Sequence, residues 1–97
     1  MVINVALQDG FDGDTVVLRV DGIEAFRGEE ITTRTQISHA GDTALEVPDG
    51  PFTLEVAVPT RDAGESLELD PHVQPNVALS LRDGRIVATY PERPGFA

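Results

Sequence analysis

The densest run of chemically capable side chains is Asp9-Gly10-Phe11-Asp12-Gly13-Asp14, which places three carboxylates within six residues. Calcium takes six to eight hard oxygen ligands, and loops between strands can supply them from carboxylates and backbone carbonyls. Asp9, Asp12 and Asp14 are therefore the candidate ligands of a weak calcium site, and calcium is the one cofactor the sequence suggests. The spacing is not that of an EF-hand, whose closing glutamate has no counterpart here. The competing reading is an exposed turn, in which Asp bonds its own backbone and Gly supplies positive φ.

Other reactive groups are scattered. His39 and His72 stand near Asp42 and Asp70 respectively. A transition-metal site needs at least three converging ligands, and nothing in the spacing makes these converge, so both read as solvated residues at strand ends. Ser38, Ser66 or Ser80 could complete a Ser-His-Asp triad on paper, but none sits in a nucleophile elbow. The Gly-rich loop lacks the Lys and the following helix of a phosphate cradle. The chain has no Cys and no Lys, which excludes disulfides, thiolate chemistry and Schiff-base catalysis. The expectation is a domain that is not an enzyme and carries no catalytic residue.

Charge narrows the partners. The chain carries 17 acidic and 7 basic residues, a formal net charge of −10. Such a surface repels phosphate backbones, because nucleic-acid affinity comes largely from cations that displace counterions. Nucleic acid and membrane are therefore not expected partners. Met1-Val2-Ile3-Asn4 shows no basic region ahead of an apolar stretch, and no apolar run approaches the ~18 residues that span a bilayer. Cytoplasmic is the default expectation.

The elements that must position these groups follow a period of two. In residues 2–7, Ile3, Val5 and Leu7 share a face. Val16, Leu18 and Val20 lead into Asp21-Gly22, then Ile23 and Ala25. Asp-Gly between alternating runs signals a type I′ hairpin, because both central residues need positive φ. That register pairs Val20 with Ile23, Arg19 with Glu24, Leu18 with Ala25 and Val17 with Phe26. A second hairpin is expected around Pro48-Asp49-Gly50-Pro51, pairing Val47 with Phe52 and Leu45 with Leu54. A third, around Asp83-Gly84, pairs Arg82 with Arg85, Leu81 with Ile86, Leu79 with Ala88 and Val77 with Tyr90. Weaker strands are expected over 32–38 and 65–70, the latter with Leu67 and Leu69 inward. Gly28-Glu29-Glu30 has room for one helical turn at most. The chain of 97 residues thus reads as one all-β domain over 1–90. Its architecture is a two-sheet antiparallel β-sandwich of about 7–8 short strands, or else a small β-barrel. Residues 91–97 form an extended C-terminal tail.

The segment Glu46-Val-Pro-Asp-Gly-Pro-Phe-Thr-Leu-Glu-Val56 resembles the hairpin of carboxypeptidase-regulatory-like, transthyretin-like domains, which carry a Pro/Gly turn followed by an aromatic-Thr-Leu strand. The resemblance implies a seven- or eight-stranded sandwich acting as an accessory or binding module. It covers about a tenth of the chain and carries over no functional residue.

A surface can also be read from the registers. Val17 and Phe26 fall together on the face away from the core, and Val87 faces outward in the third hairpin. With Phe96 of the tail, they make a candidate interaction surface for another protein or for self-association. The favoured expectation is a non-catalytic interaction module working through a sheet face, an edge or the tail. The alternatives are a calcium- or metal-dependent binding or enzyme-like domain using Asp9, Asp12 and Asp14, and a carbohydrate-binding module. The last would need exposed aromatic rings from Phe11, Phe26, Phe52, Tyr90 and Phe96, of which Phe52 and Tyr90 are expected to face inward.

Overall fold

Alternating apolar residues become strands here, and a computed structural model of the chain describes residues 1–33 and 41–92. In chain order the strands are β1 (Val2–Leu7), β2 (Asp14–Val20), β3 (Ile23–Ile31), β4 (Gly41–Glu46), β5 (Phe52–Val58), β6 (Ala63–Leu69), β7 (Asn76–Arg82) and β8 (Arg85–Thr89), with a 3₁₀ turn at Pro59–Arg61. They form two four-stranded sheets, β4-β1-β7-β8 and β3-β2-β5-β6, neither of which closes on itself. The fold is a β-sandwich, and the barrel alternative falls away.

The core lies between the sheets. Ile3, Val5, Leu7, Leu45, Val77, Leu79 and Leu81 of the first sheet meet Val16, Leu18, Leu54, Val56, Val58 and Leu69 of the second. These are the inward rows that the period-two pattern selects. The β1 face and the inward placement of Leu67 and Leu69 agree with the sequence reading. So does the third hairpin from Arg82↔Arg85 through Leu79↔Ala88. Its turn residues Asp83 and Gly84 have φ of 52° and 74°, and Asp21 and Gly22 have 49° and 85°. Both are the positive pairs that a type I′ turn demands.

Four expectations need correction. The first hairpin holds its register for only two pairs before a bulge intervenes: Leu18 faces Phe26 and Val17 faces Arg27. Ala25 is the extra residue on β3, so the row beyond it is shifted. Ile23 keeps its expected place opposite Val20 and is nonetheless 74% exposed. The second hairpin does not form at all. β4 pairs with β1, and β5 pairs with β2 and β6, so 48–51 carries the chain from one sheet to the other. Pro48 and Pro51 have no N–H to give to a closing hairpin ladder. Leu45, Val47, Phe52, Leu54, Val56 and Val58 are nonetheless all buried: burial patterning fixes the face a residue points to but not the strand it pairs with. Thirdly, the pairing is not wholly antiparallel, because β1 runs parallel to β7. No hairpin links these two strands, so no tight turn constrains their relative direction. Finally, Tyr90 lies beyond the end of β8 and is 45% exposed. Residues 28–30, which had room for one helical turn at most, continue β3 as strand. Of the expected strand over 32–38, residues 34–38 lie outside the described residues, as do His39, Phe96 and most of the 91–97 tail.

Candidate functional site

The acidic loop connects β1 to β2 and so crosses from one sheet to the other. Its backbone is tied down at both ends. The Gln8 amide donates to the Leu79 carbonyl at 2.8 Å, and the Leu81 amide donates to the Asp9 carbonyl at 2.8 Å. The loop thus extends the parallel β1–β7 ladder. The Phe11 amide donates to Thr33 Oγ1 at 2.9 Å, and the Gly13 amide donates to Thr32 Oγ1 at 2.9 Å. The Phe11 ring is buried in the core. Gly10 has φ of +90°, and a Cβ there would lie 2.0 Å from the Leu81 carbonyl oxygen. Only glycine fits so close an approach of two backbones.

The three carboxylates have separate fates. Asp14 is 1% exposed and belongs to the same inward-facing row of β2 as Val16 and Leu18. Its Oδ1 accepts from Thr60 Oγ1 at 2.6 Å and from Arg61 Nε at 2.9 Å. Its Oδ2 accepts from the Asp12 amide at 2.9 Å. Burial alone would push the Asp14 carboxyl up. The bonds from Thr60, the Asp12 amide and Arg61, with the guanidinium charge, outweigh burial and hold it below its ordinary value. The 3₁₀ turn at Pro59–Arg61 is what delivers Thr60 and Arg61, a short element that the period-two pattern does not reveal. Asp9 and Asp12 do not join Asp14 in a ligand cluster. Among the described residues no group of three or more His, Cys, Asp or Glu is placed to hold a metal ion.

His72 also finds a carboxylate, though not the expected one. Its amide donates to Asp70 Oδ1 at 2.9 Å, while its ring Nε2 pairs with Asp49 across the exposed loop surface. The Ser80 hydroxyl is engaged by the Asp9 amide at 3.3 Å. Among the described residues no serine is hydrogen-bonded to the His72 ring; Ser38 and His39 lie outside them.

The expected interaction surface is also redistributed. Val17 does lie on the outward row of β2, but it is only 3% exposed, between Ala57 and Arg27 on the neighbouring strands. Phe26 does not accompany it: the bulge turns the ring to the core side, where it packs half-buried against the cluster. Val87 faces outward opposite Ser80 and is half-buried. Phe11 and Phe52 are core residues, which leaves Tyr90 as the exposed ring among the described aromatics.

What the sequence reading missed is the open side of the sandwich. β6 and β8 are edge strands of opposite sheets, and they border a shallow cleft of about 260 Å³ lined by Asp62, Ala63, Gly64, Glu65, Gly84, Arg85 and Ile86. Glu65 sits directly opposite Val56, a core residue, so the pleat places its carboxylate on the inward row. It is exposed, and it makes no ion pair with any described residue. A signal was present in the sequence. Glu65 has the same parity as Leu67 and Leu69, and an inward charge marks an edge strand.

The four edges differ in how they are guarded. β3 has two register shifts, and Glu24, Arg27, Glu29 and Glu30 lie along it. β4 carries Asp42 and Glu46, and β6 carries Glu65 and Glu68. β8 is bulge-free with a single charge, Arg85, beside Ile86, Val87 and Thr89. In a two-residue hairpin the pair flanking the turn is hydrogen-bonded, so the ladder to β7 uses Arg85, Val87 and Thr89. The N–H and C=O groups of Ile86 and Ala88 are directed away from it.

No helix among the described residues is long and apolar enough to cross a membrane. In comparisons with family models, curated proteins and solved structures, nothing matches this chain.

Proposed function

We propose that this domain is a non-catalytic interaction module that binds a protein partner by strand addition to the free edge of β8. The observation that supports this reading is the state of that edge. It is bulge-free, rich in β-branched residues and carries one charge, Arg85, and it offers the backbone groups of Ile86 and Ala88. An extended segment adding there gains main-chain hydrogen bonds for affinity, and alternating side-chain positions for specificity. The reactive side chains support a binding role over catalysis: Asp14, His72 and Ser80 each have a structural partner.

Ala88→Pro tests the reading, because proline removes an outward N–H without taking a bond from the β7 ladder. Binders would be selected from a library of displayed extended peptides on the native chain. Their signals would then be mapped by amide chemical shifts and re-measured on Ala88→Pro. Shifts centred on β8 and β7, with at least a tenfold loss on the variant, are expected. Binding that maps elsewhere, or that survives Ala88→Pro, overturns the proposal.

A further inference from the structure

The chemistry of the occupant can be read from the two rows that an added strand would extend. This inference rests on the β8-edge reading. Beside the inward row of β8, Ile86 and Ala88, lies the cleft between the sheets, whose charged lining is Asp62, Glu65 and Arg85, two acids against one base. Beside the outward row stand Arg85, Val87 and Thr89, since Arg85 pairs with Arg82 and Val87 with Ser80. We infer that the β8 edge takes an extended cationic peptide segment, with a Lys or Arg in its cleft-facing row against Glu65 and β-branched residues in its outer row beside Val87.

Three observations carry this choice. Glu65 is an inward-row carboxylate that makes no ion pair with a described residue, Arg85 of the same cleft included, so a cation placed there meets a charge that no described residue pairs with. Second, the chain's net charge of −10 draws a cationic segment in by long-range attraction and raises its association rate. Third, a second copy of β8 does not fit. In an antiparallel pairing centred on Val87, Ile86 of one chain would face Ala88 of the other, leaving Glu65 beside apolar groups, and two bodies of charge −10 would have to meet.

The probes are short, end-blocked peptides of alternating Val and Thr in which one inner-row position is Lys, Gln or Glu. Fluorescence polarisation at low salt should rank them Lys, Gln, Glu, with the Lys peptide about fivefold tighter than Gln, the scale of one partly exposed ion pair. On Glu65→Gln the Lys preference should vanish while the Gln peptide is unaffected. Added salt should erase the preference on the native chain as well. Persistence of the Lys preference on Glu65→Gln overturns the inference. If Ala88→Pro abolishes binding of all three peptides but Glu65→Gln leaves their ranking unchanged, the edge reading stands and the cationic occupant falls. If no peptide binds the native chain, both fall.

Discussion

Among the described residues, Asp14 and Glu65 both lie on inward rows, and their surroundings could hardly differ more. Asp14 lies on β2, an interior strand, and is almost completely buried. Glu65 lies on β6, an edge strand, and remains in water. An ionised group taken out of water needs a complete set of partners, and the fold supplies one for Asp14: a guanidinium, a hydroxyl and a backbone amide. At an edge, solvent meets that need, and the carboxylate can be left unpaired. Partnered inward charge therefore reads as architecture. Unpartnered inward charge at an open edge discourages apolar self-pairing and is free to meet a ligand.

The sharpest way to break the Asp14 side is through the loop that feeds it. Gly10→Ala would drive a Cβ into the Leu81 carbonyl, at a φ of +90° that alanine resists. Neither backbone can yield without giving up the β1–β7 extension at Gln8 and Asp9. A loss of about 3 kcal/mol or more is expected, in the range of severe single substitutions. Denaturant unfolding measures it, and a loss under ~1 kcal/mol would show that the loop does not anchor β1 to β7.

Asp14→Asn comes next, at about 2 kcal/mol, since it removes charge-assisted bonds from a buried site. The figure stays below that for a fully buried pair, because the Arg61 side chain is 38% exposed and can turn to water. A pH signature goes with it. The Asp14 carboxyl is held below its ordinary value of 3.8 in the folded chain, so the folded state binds this proton less readily than the unfolded state. Its stabilising contribution is complete above the unfolded value, and it is lost as pH falls through the lowered native one. The native chain should therefore lose stability more steeply than Asp14→Asn on acidification below about pH 4. Parallel acid limbs would mean that Asp14 is not the group responsible.

These contrasts also explain what the sequence could disclose. Alternation and Asp-Gly chemistry are local, so the inward rows and the turns at Asp21-Gly22 and Asp83-Gly84 were legible. The partner of β4 was not, because Leu45 and Val47 are equally inward whether they pair with β5 or with β1. The bulge at Ala25 was hidden for a related reason. Placing Phe26 against the core gains more apolar burial than keeping a regular ladder with Ala25 inward, and that choice depends on the space beside Leu18. Asp14 had the parity of Val16 and Leu18, but its partners arrive from Thr60 and Arg61, more than forty positions away. Glu65 needed only its own row to be noticed, and its proximity to β8 needed the fold.

Glu65→Gln supplies the control for the comparison. A solvated carboxylate without an ion pair carries little of the fold's stability, so unfolding should shift by no more than ~0.5 kcal/mol, as for ordinary surface substitutions. A destabilisation approaching that of Asp14→Asn would mean that Glu65 has a structural role after all, and the contrast between the two carboxylates would collapse.

The smallest effect expected is that of calcium. For Asp14 to coordinate the ion, Arg61 and Thr60 would have to leave Oδ1, or the Asp12 amide would have to leave Oδ2. The 3₁₀ turn or the loop would move with them. Asp9 and Asp12 do not form a cluster that could repay that loss with further ligands. A ligand that binds the folded state raises the melting temperature in a saturable way, so titration to millimolar calcium should leave the melting temperature flat beyond the general effect of salt. A saturable rise would overturn this, and repeating it on Asp14→Asn would locate the cause. If the rise disappeared, the Asp14 corner would be an exchangeable site and the division between architecture and ligand binding would not hold; if it persisted, the ion would be held elsewhere and the corner would keep its structural role.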